Sequence, residues 1–517
     1  MAWLVAILAA AGSGHAQEPA DLFRFSGGPL SQDLLHGGEA VVEARPIEID
    51  GSQLAAGQEK VRFELFRGIR YEAVLSGLER RGPAEVTWRG WLGRPGEDRV
   101  VLTFHESHVA GLVFSPEGVY EIAPLPDGGH RLARIDQDRF PACGGAPTPV
   151  RSGTETPLDN DVLAAAADSA DQIDVMIAYT PQARNAAGGT AAIRTTAQNA
   201  VDMANTAFID SGMVARFVLV STVLANRNDS GDMVADLYWL TDDAGIAAAR
   251  DVARADLVSL LVESGQGCGV GWVMDDPGLW FASHAFQVTA RGCAVGNLSY
   301  AHEHGHNMGM EHNPENGSPP NQASYPWSFG HYVNGVFRTV MSYANPCANG
   351  CNRVARFSNP NLTYAGYATG IANQRDNHRT GDLTAPIVAN FRQRTLGDFY
   401  TLTPCRLLDT RQQGPALALG IPRTITTLGQ CGIPSTAAAL AVNVTVTGAT
   451  SSGYLALQPG NPAPSATSAI SFGAGQTRGN NGVLALAADG AGTATIQAIL
   501  QSSGTVHVIL DVSGYFD

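Results

Sequence analysis

Residues 302–312 read His-Glu-His-Gly-His-Asn-Met-Gly-Met-Glu-His. In a helix, His302 and His306 are one turn apart on the same face, and both imidazoles can reach one Zn²⁺. Gly309 can adopt a positive φ that ends the helix, and the turn that follows would bring His312 round as a third ligand. Three protein ligands leave a fourth coordination position for water, which is typical of a catalytic zinc site rather than a structural one.

Two other side chains of this motif have different predicted roles. Glu303 lies where it can accept a proton from the water at the fourth position, as a general base. His304 lies about 200° round the helix from His302, which predicts a packing or surface histidine that points away from the metal. The alternative, a histidine-rich helix end without a metal, is disfavoured because a glycine and a third histidine at these fixed offsets rarely occur by chance.

A second stretch, Thr-Val-Met-Ser-Tyr at residues 339–343, follows the third histidine. The two stretches together resemble the metzincin zinc peptidases, in which HExxHxxGxxH is followed by a methionine turn. The resemblance implies that Zn²⁺ is the cofactor, that the three histidines bind it and that Glu303 is the general base. Met341 would form the hydrophobic floor below the metal, a role that hardly differs from that of an ordinary core methionine.

Tyr343 stands two residues after that methionine. It matches the astacin and serralysin branches of the metzincins, in which the tyrosine can approach the zinc and stabilise the oxyanion. The reprolysin-like branch lacks this requirement. Two roles therefore stay open for Tyr343, a catalytic one and a hydrogen bond near the site.

Three further stretches narrow the resemblance, and they read CGVGW at 268–272, AFQVTARGCA at 285–294 and RFSNP at 356–360. They look like the reprolysin-like bacterial peptidases, and in particular the peptidyl-Asp metalloendopeptidases, which cut on the N-terminal side of acidic residues. The resemblance covers residues 172–395 and implies an endopeptidase that hydrolyses proteins or peptides.

The basis of an acidic preference is open at this stage. Arg291, Arg353 or Arg356 could line a pocket for an acidic side chain, although an arginine is more often a surface charge. The strand expected at residues 284–290 would be the sheet edge along which the substrate adds as an extended strand.

The chain contains seven cysteines, which suggests disulfides and one odd thiol. Pairing of nearest neighbours would join Cys268–Cys293, Cys347–Cys351 and Cys405–Cys431, although the four cysteines of one domain alone allow three connectivities. The remaining Cys143 lies in Phe-Pro-Ala-Cys-Gly-Gly, which resembles the cysteine switch of matrix metalloproteinases and reprolysins. In such a zymogen a propeptide thiolate is an inhibitory zinc ligand. A spare or intermolecularly paired cysteine is the alternative.

Changes in composition along the chain predict a multidomain protein. We expect a signal peptide at 1–16, a β-rich propeptide domain at 17–143, a linker with the maturation site at 144–171, an α/β metzincin catalytic domain at 172–395 and a C-terminal all-β module at 396–517. In the catalytic domain, alternation at residues 173–177 and a helical face from Ile193 to Phe208 predict a mostly parallel twisted sheet, with the histidine motif as the active-site helix.

The last module carries RLLDTR at 406–411 and DVSGYF at 511–516. It resembles a module attached to various secreted bacterial enzymes. Contact with the cell wall or another polymer is one interpretation, and a stabilising or secretion appendage is the other.

The composition excludes several classes of protein. A net charge of −15 argues against nucleic acid or anionic lipid as the main partner, and 44% hydrophobic residues exclude a disordered chain. The apolar run at residues 2–11 is shorter than the roughly 20 residues of a membrane span and is typical of a signal-peptide core. We therefore expect a secreted bacterial protein without membrane insertion. No motif gives a firm Ca²⁺ site.

Two other functions compete with a secreted zinc endopeptidase. One is a cell-wall or surface binding protein with a vestigial peptidase domain, and the other is a hydrolase of peptidoglycan peptides. The expected linker contains Asp159, Asp161, Asp168 and Asp171, so an enzyme that cuts before aspartate could mature itself.

Overall fold

The computed structural model describes residues 21–27, 38–82, 84–145, 147–149, 169, 171–393, 399–460, 468–487 and 490–516. The predicted signal peptide and most of the predicted linker, with Asp159, Asp161 and Asp168, lie outside these residues. None of the helices in the described part of the chain combines the length and the apolar character that a membrane span requires.

The N-terminal part of the chain forms one antiparallel sheet of nine strands, in the order β1-β2-β9-β8-β7-β6-β5-β4-β3. Its strands are β1 (Phe23–Phe25), β2 (Val41–Ile49), β3 (Lys60–Leu65), β4 (Ile69–Gly82), β5 (Glu85–Trp91), β6 (Arg99–His105), β7 (His108–Ser115), β8 (Gly118–Pro124) and β9 (His130–Ile135), and helix α1 (Ser52–Ala56) follows β2. Side chains alternate across β3, where Val61, Phe63 and Leu65 face a core and the residues between them do not.

A second sheet of five strands follows, in the order β11-β10-β12-β14-β13. Its strands are β10 (Gln172–Tyr179), β11 (Arg216–Leu224), β12 (Leu257–Val262), β13 (Gly269–Gly271) and β14 (Phe286–Ala290). The pairs β10–β11, β10–β12 and β12–β14 are parallel, and only β13 runs antiparallel to its neighbour. Strand β12 is buried at every residue, as expected for a strand covered on both faces of a parallel sheet.

The expected sheet edge at residues 284–290 is wrong. Strand β14 lies inside the sheet, because β13 pairs with its free side and becomes the edge strand. The disulfide Cys268–Cys293 joins the residue before β13 to the helix that follows β14, so the two strands are held side by side. A substrate that adds to this sheet would therefore pair with β13.

The helices of this region are α2 (Pro181–Ala187), α3 (Thr190–Asp210), α4 (Met233–Asp242), α5 (Ala244–Ala253), α6 (Arg291–Ala294), α7 (Ser299–Asn307) and α8 (Asn377–Val388). Two short hairpins complete it, and they are formed by β15 (Tyr332–Val333) with β16 (Phe337–Arg338) and by β17 (Thr363–Tyr364) with β18 (Tyr367–Ala368). Helix α7 carries the histidine motif beneath the sheet, where Asn307 Nδ2 donates to Trp272 O (2.9 Å) and Phe286 O (3.1 Å).

Helix α3 is covered on two sides. Its apolar residues, among them Ile193, Val201 and Phe208, belong to the same hydrophobic core as Val101 and Leu112 of the N-terminal sheet. Strands β6 and β7 therefore bury both of their faces, one in the core of their own sheet and the other against α3. This contact fixes the N-terminal sheet on the domain that contains the histidine motif.

The described residues of 399–460, 468–487 and 490–516 form two antiparallel sheets around a separate core. The strands are β19 (Phe399–Asp409), β20 (Leu417–Ala418), β21 (Pro422–Thr426), β22 (Ala439–Thr447), β23 (Gly453–Pro459), β24 (Ile470–Phe472), β25 (Arg478–Ala485), β26 (Thr493–Leu500) and β27 (Thr505–Phe516). One sheet has the order β19-β27-β22-β25, with β20 also on β27, and the other has the order β21-β26-β23-β24. The chain is therefore multidomain, as predicted.

The expected disulfides are confirmed. Cys268–Cys293, Cys347–Cys351 and Cys405–Cys431 are bonded, and Cys143 is free. Three disulfides are typical of a protein from an oxidising compartment.

Candidate active site

Helix α7 places His302 and His306 on one buried face and ends at Asn307. Gly309 has φ of +80°, and the turn it makes is closed by hydrogen bonds from Gly309 N to His306 O (2.9 Å) and from Met310 N to Gly305 O (2.8 Å). A Cβ at Gly309 would lie 3.0 Å from Ser324 Oγ and 3.1 Å from Met274 O, so space as well as φ requires glycine here. The chain then returns toward the helix with His312.

The three histidines converge through their Nε2 atoms. Nε2 of His312 lies 3.1 Å from Nε2 of His302 and 3.0 Å from Nε2 of His306. Each Nδ1 faces a backbone carbonyl instead, and the distances for His302, His306 and His312 are 2.9, 2.9 and 3.3 Å. An Nδ1–H that donates to each carbonyl leaves three Nε2 lone pairs directed at one point, which is unfavourable unless a cation lies between them.

Burial also sets the charge of these imidazoles. It lowers the pKa of His306 to about 4 and the pKa of His302 and His312 well below the ordinary value. All three are therefore neutral at pH 7, which is the form that binds a metal. The donor set and its hydrogen bonds fit a metal ion such as Zn²⁺.

Cys143 joins the same cluster. Its Sγ and one ring nitrogen from each of the three histidines all lie within 4.8 Å of one another. The thiol donates to Gly145 O at 3.4 Å and to Glu303 Oε2 at 3.6 Å, and burial raises the pKa of the thiol.

The segment that carries Cys143 lies along the edge strand β13. Cys268 N donates to Ala142 O (3.2 Å), Gly144 N donates to Gly269 O (2.7 Å), and Val273 N donates to Pro147 O (3.0 Å). Residue numbers increase in the same direction along both partners of these hydrogen bonds, so the segment runs parallel to β13. It covers the sheet edge beside the cluster.

Glu303 points into the site from the middle of α7 and is buried. A Cβ at Gly269 would lie 2.5 Å from Glu303 Oε1, so β13 approaches this carboxylate through a glycine. Burial raises the pKa of Glu303 to about 8, against the opposing effects of the Cys143 thiol and Arg353. Glu303 Oε1 has no hydrogen-bond partner in the described part of the chain.

Tyr343 lies against His312, and Met341 lies against Gly305 of α7. The Tyr343 ring lies 4.2 Å from the His312 ring, centroid to centroid, and lines the same cavity as Cys143. Burial, with the charges of Cys143 and Glu303, raises the pKa of the phenol. Met341 is fully buried under α7, where a Cβ at Gly305 would overlap its Sδ.

His304 lies on the other side of α7, as its position in the helix predicted. Its Nε2 is 2.7 Å from Ser259 Oγ, its Nδ1 is 3.0 Å from Asn307 Oδ1, and its ring packs edge-on against Tyr300. It is a buried packing histidine.

The three arginines considered from the sequence are all buried, so the expectation of surface charges is wrong. Arg291 forms an ion pair with Glu263 (2.6 Å), and Arg356 donates to the carbonyls of Asp210 and Gly96. Of these three arginines, only Arg353 lines the cavity beside the histidines.

Arg338 also lines this cavity, and the sequence analysis missed it. Its position directly before the 339–343 stretch was the available signal. Asn313 was missed as well. Its Oδ1 accepts from Tyr343 N (2.9 Å) and so ties the tyrosine to the turn after His312.

Residues 170–375 match the family model for the reprolysin-like metallopeptidases of family M12B. This region is a reprolysin-like metallopeptidase domain. The chain is a metalloendopeptidase, and its substrates are proteins or peptides.

The reprolysin-like domain and its surroundings are similar to several bacterial proteins, each named peptidyl-Asp metalloendopeptidase. The protein of Xanthomonas campestris pv. campestris is 26% identical over 372 residues, which are 68% of this chain and 87% of the relative. A Stenotrophomonas maltophilia protein is 28% identical over 372 residues, with coverage of 67% and 86%. A Pseudomonas aeruginosa protein is 32% identical over 256 residues, which are 44% of this chain and 42% of the relative.

Proposed function

We propose that the chain is a secreted zinc endopeptidase, made as a zymogen that Cys143 keeps inactive, and that it cuts proteins on the N-terminal side of acidic residues. The cluster of Cys143 with His302, His306 and His312 carries the proposal. Neutral imidazoles and a thiolate are preferred zinc ligands, and the three carbonyl-bound Nδ1 atoms hold the rings in place.

In the mature enzyme the three histidines would hold Zn²⁺. The ion supplies Lewis-acid chemistry, because it polarises a carbonyl and makes water more acidic. The position of the Cys143 Sγ becomes free for water in that state, and Glu303 Oε2 faces this position. Glu303 accepts the proton of the attacking water at Oε2 and then passes it to the leaving nitrogen, as general base and general acid.

Tyr343 is proposed as a second catalytic residue. Its ring packs against the His312 ring and lines the cavity that also contains Cys143, so the phenol can reach a group at the position of the sulfur in the mature enzyme. Its raised pKa keeps the phenol protonated at neutral pH. The phenol can then donate a hydrogen bond to the oxyanion that develops on the scissile carbonyl.

Inhibition by Cys143 has two parts. The sulfur takes the ligand position that water needs. The backbone of Ala142, Gly144 and Pro147 occupies the edge of β13 along which a substrate would pair. Residues 17–143 are thus a propeptide domain, and a cut within the linker 144–171 would release it. The proposed cut before aspartate comes from the names of the relatives.

Secretion is supported by the three disulfides and by the apolar run at residues 2–11. For the C-terminal module, residues 396–517, we propose an accessory role such as contact with the cell wall or another polymer. Its core is separate from that of the peptidase domain. Deletion of the module should therefore leave the cleavage of short peptides intact.

The test is cleavage-site profiling on a peptide library with the matured enzyme, with Glu303→Ala and with chelator-treated enzyme. The proposal requires that only the metal-loaded wild type cuts and that Asp or Glu follows the cut. Cleavage by Glu303→Ala at the wild-type rate would refute the catalytic assignment. Cleavage without an acidic preference would refute the specificity alone. Muropeptides in the same assay separate a peptidoglycan hydrolase from a protease.

A further inference from the structure

Two buried guanidinium groups meet beside the active site. Arg353 Nη2 and Arg338 Nη1 donate to the same acceptor, Ser342 O, at 3.3 and 3.2 Å. The side chains are almost fully buried, with exposures of 5% for Arg353 and 2% for Arg338. Two positive charges thus lie close together in an environment that excludes water, which is costly unless negative charge compensates them.

The other hydrogen-bond partners of these groups are backbone carbonyls. Arg353 Nη1 donates to Asn297 O (2.7 Å), while Arg338 donates to Cys351 O and Gln137 O (3.2 Å each). No carboxylate of the described residues lies within 4.0 Å of Arg353, and its Nε has no hydrogen-bond partner among them. Glu303 and Cys143 act on Arg353 only from beyond ion-pair distance.

The arginines face a cavity of about 280 Å³ that opens onto the catalytic groups. His302, Glu303 and Tyr343 line one part of it, and Arg338 and Arg353 line another. The N-terminal region contributes a further part of the wall, through Gln137 and the segment from Phe140 to Cys143. Removal of the propeptide would open this wall and expose the two guanidinium groups to a substrate.

We propose that Arg353, with Arg338 beside it, binds the carboxylate of an acidic side chain at P1′, the residue directly after the scissile bond. This inference rests on the proposed function and identifies the residues that would determine its specificity. A guanidinium can donate two parallel hydrogen bonds to one carboxylate, and the bond is strong where water is excluded. Asn and Gln offer no charge to balance the two arginines, so the same pocket disfavours them.

The N-terminal region places an acidic residue beside Arg338. Asp138 Oδ1 lies 4.0 Å from Arg338 Nη2, and Asp138 Oδ2 would be 3.1 Å from a Cβ at Gly350. In the zymogen Asp138 therefore supplies part of the negative charge that a substrate supplies after maturation. Arg291 and Arg356 have no comparable role, because one is paired with Glu263 and the other lies against Gly96 and Asp210.

The test compares two peptides that differ only by Asp or Asn at P1′, with enzyme matured from the full-length chain. We expect Arg353→Gln to lower kcat/KM for the Asp peptide about 100-fold or more and to change the Asn peptide little, because one partner of a buried charge pair is removed. Arg338→Gln should act in the same direction, and Arg353→Lys should retain part of the preference. Arg250→Gln is the matched control, since Arg250 is buried and bound to backbone carbonyls but does not line the cavity.

The outcomes separate the inference from the proposed function. An unchanged Asp-to-Asn ratio in Arg353→Gln, or an equal loss on both peptides, overturns the inference and leaves the peptidase intact. A wild type that cuts both peptides alike overturns the acidic specificity together with the inference. If Arg353→Gln does not fold, the inference is tested instead by measuring how strongly short product peptides inhibit the wild type. A peptide that begins with Asp must inhibit more strongly than its Asn counterpart, and equal inhibition overturns the inference.

Discussion

The Sγ of Cys143 lies 3.6 Å from Oε2 of Glu303, so the thiol can donate to the carboxylate while it faces the three histidines. One sulfur atom thereby contacts both the metal-binding group and the proposed general base. The backbone on either side of Cys143 also pairs with Cys268 and Gly269 at the sheet edge. A single segment of the N-terminal region thus contacts the metal-binding group, the proposed general base and the edge of the sheet.

Replacement of Cys143 should activate the uncut chain. We expect Cys143→Ser to raise the rate on short peptides roughly tenfold or more, because a hydroxyl binds zinc less well than a thiolate and a loss of about 1.4 kcal/mol suffices for that factor. Initial rates on the intact chain, with a gel to show that it stays uncut, are the measurement. The double variant Cys143→Ser, Glu303→Ala must stay inactive. An unchanged rate in the single variant would mean that the sulfur of Cys143 adds nothing to the inhibition.

Gly269 should be required for the position of Glu303. In Gly269→Ala the new Cβ would lie 2.5 Å from Glu303 Oε1, so the carboxylate must move. We expect kcat of the matured enzyme to fall about 100-fold, as for a displacement of a catalytic group by 1 Å, while bound zinc stays at one equivalent. Zinc analysis beside kinetics tests this. Gly245→Ala, on the surface helix α5, is the control and should retain activity.

Local patterns predicted much of the peptidase domain. The alternation at residues 173–177 corresponds to β10. The motif of residues 302–312 predicted both the helix and the positive φ of Gly309, since these depend on near neighbours in sequence.

Contacts between distant segments could not be predicted from such patterns. The period from Ile193 to Phe208 indicated one buried face, but Thr195, Asn199 and Asp202 of the same helix are also buried, because the N-terminal sheet covers it. The edge strand was misplaced because β13 is only three residues long and pairs outside β14. The burial of Arg353 depends on backbone carbonyls of Asn297 and Ser342, which are separated from it in sequence. Its residue type alone suggested a position on the surface.

Asp202 should hold the N-terminal domain on helix α3. It is fully buried and accepts hydrogen bonds from Arg81 Nη1 (3.3 Å) and Thr103 Oγ1 (2.5 Å) of the N-terminal sheet. Asp202→Ala leaves a buried guanidinium without its carboxylate, so we expect the full-length chain to lose about 3–5 kcal/mol in its free energy of unfolding. Denaturant unfolding of the full-length chain measures this loss.

Two comparisons test whether the effect of Asp202 belongs to the interface. In matured enzyme without the N-terminal domain, the same substitution should change stability little, because the partners of Asp202 have left. In the full-length chain, Asp251→Ala should cost at most about 1 kcal/mol, because its pair with Arg392 is exposed. An equal loss of stability before and after maturation would contradict the interface role.

The same carboxylate should make the interface sensitive to acid. Burial raises the pKa of Asp202, but Arg81 and Arg89 outweigh it and leave the pKa below the ordinary value of 3.8. Both arginines also form ion pairs with Glu79, so two positive charges are compensated by the carboxylates of Asp202 and Glu79. After the N-terminal domain dissociates, Asp202 loses the guanidiniums and its pKa returns toward the ordinary value. A carboxyl with a lower pKa in the complex stabilises that complex above its ordinary pKa, and this stabilisation is lost as the pH falls through the lowered value.

We therefore expect the cleaved N-terminal domain to stay bound, as far as Asp202 is concerned, from neutral pH down to about pH 4 and to dissociate increasingly below it. Size-exclusion chromatography of the linker-cleaved chain at a series of pH values measures the bound fraction. In Asp202→Asn the side chain carries no titrating charge, so binding should be weaker near pH 7 and should depend less on pH in the acid range. Parallel curves for the wild type and Asp202→Asn would show that the acid sensitivity arises from other groups.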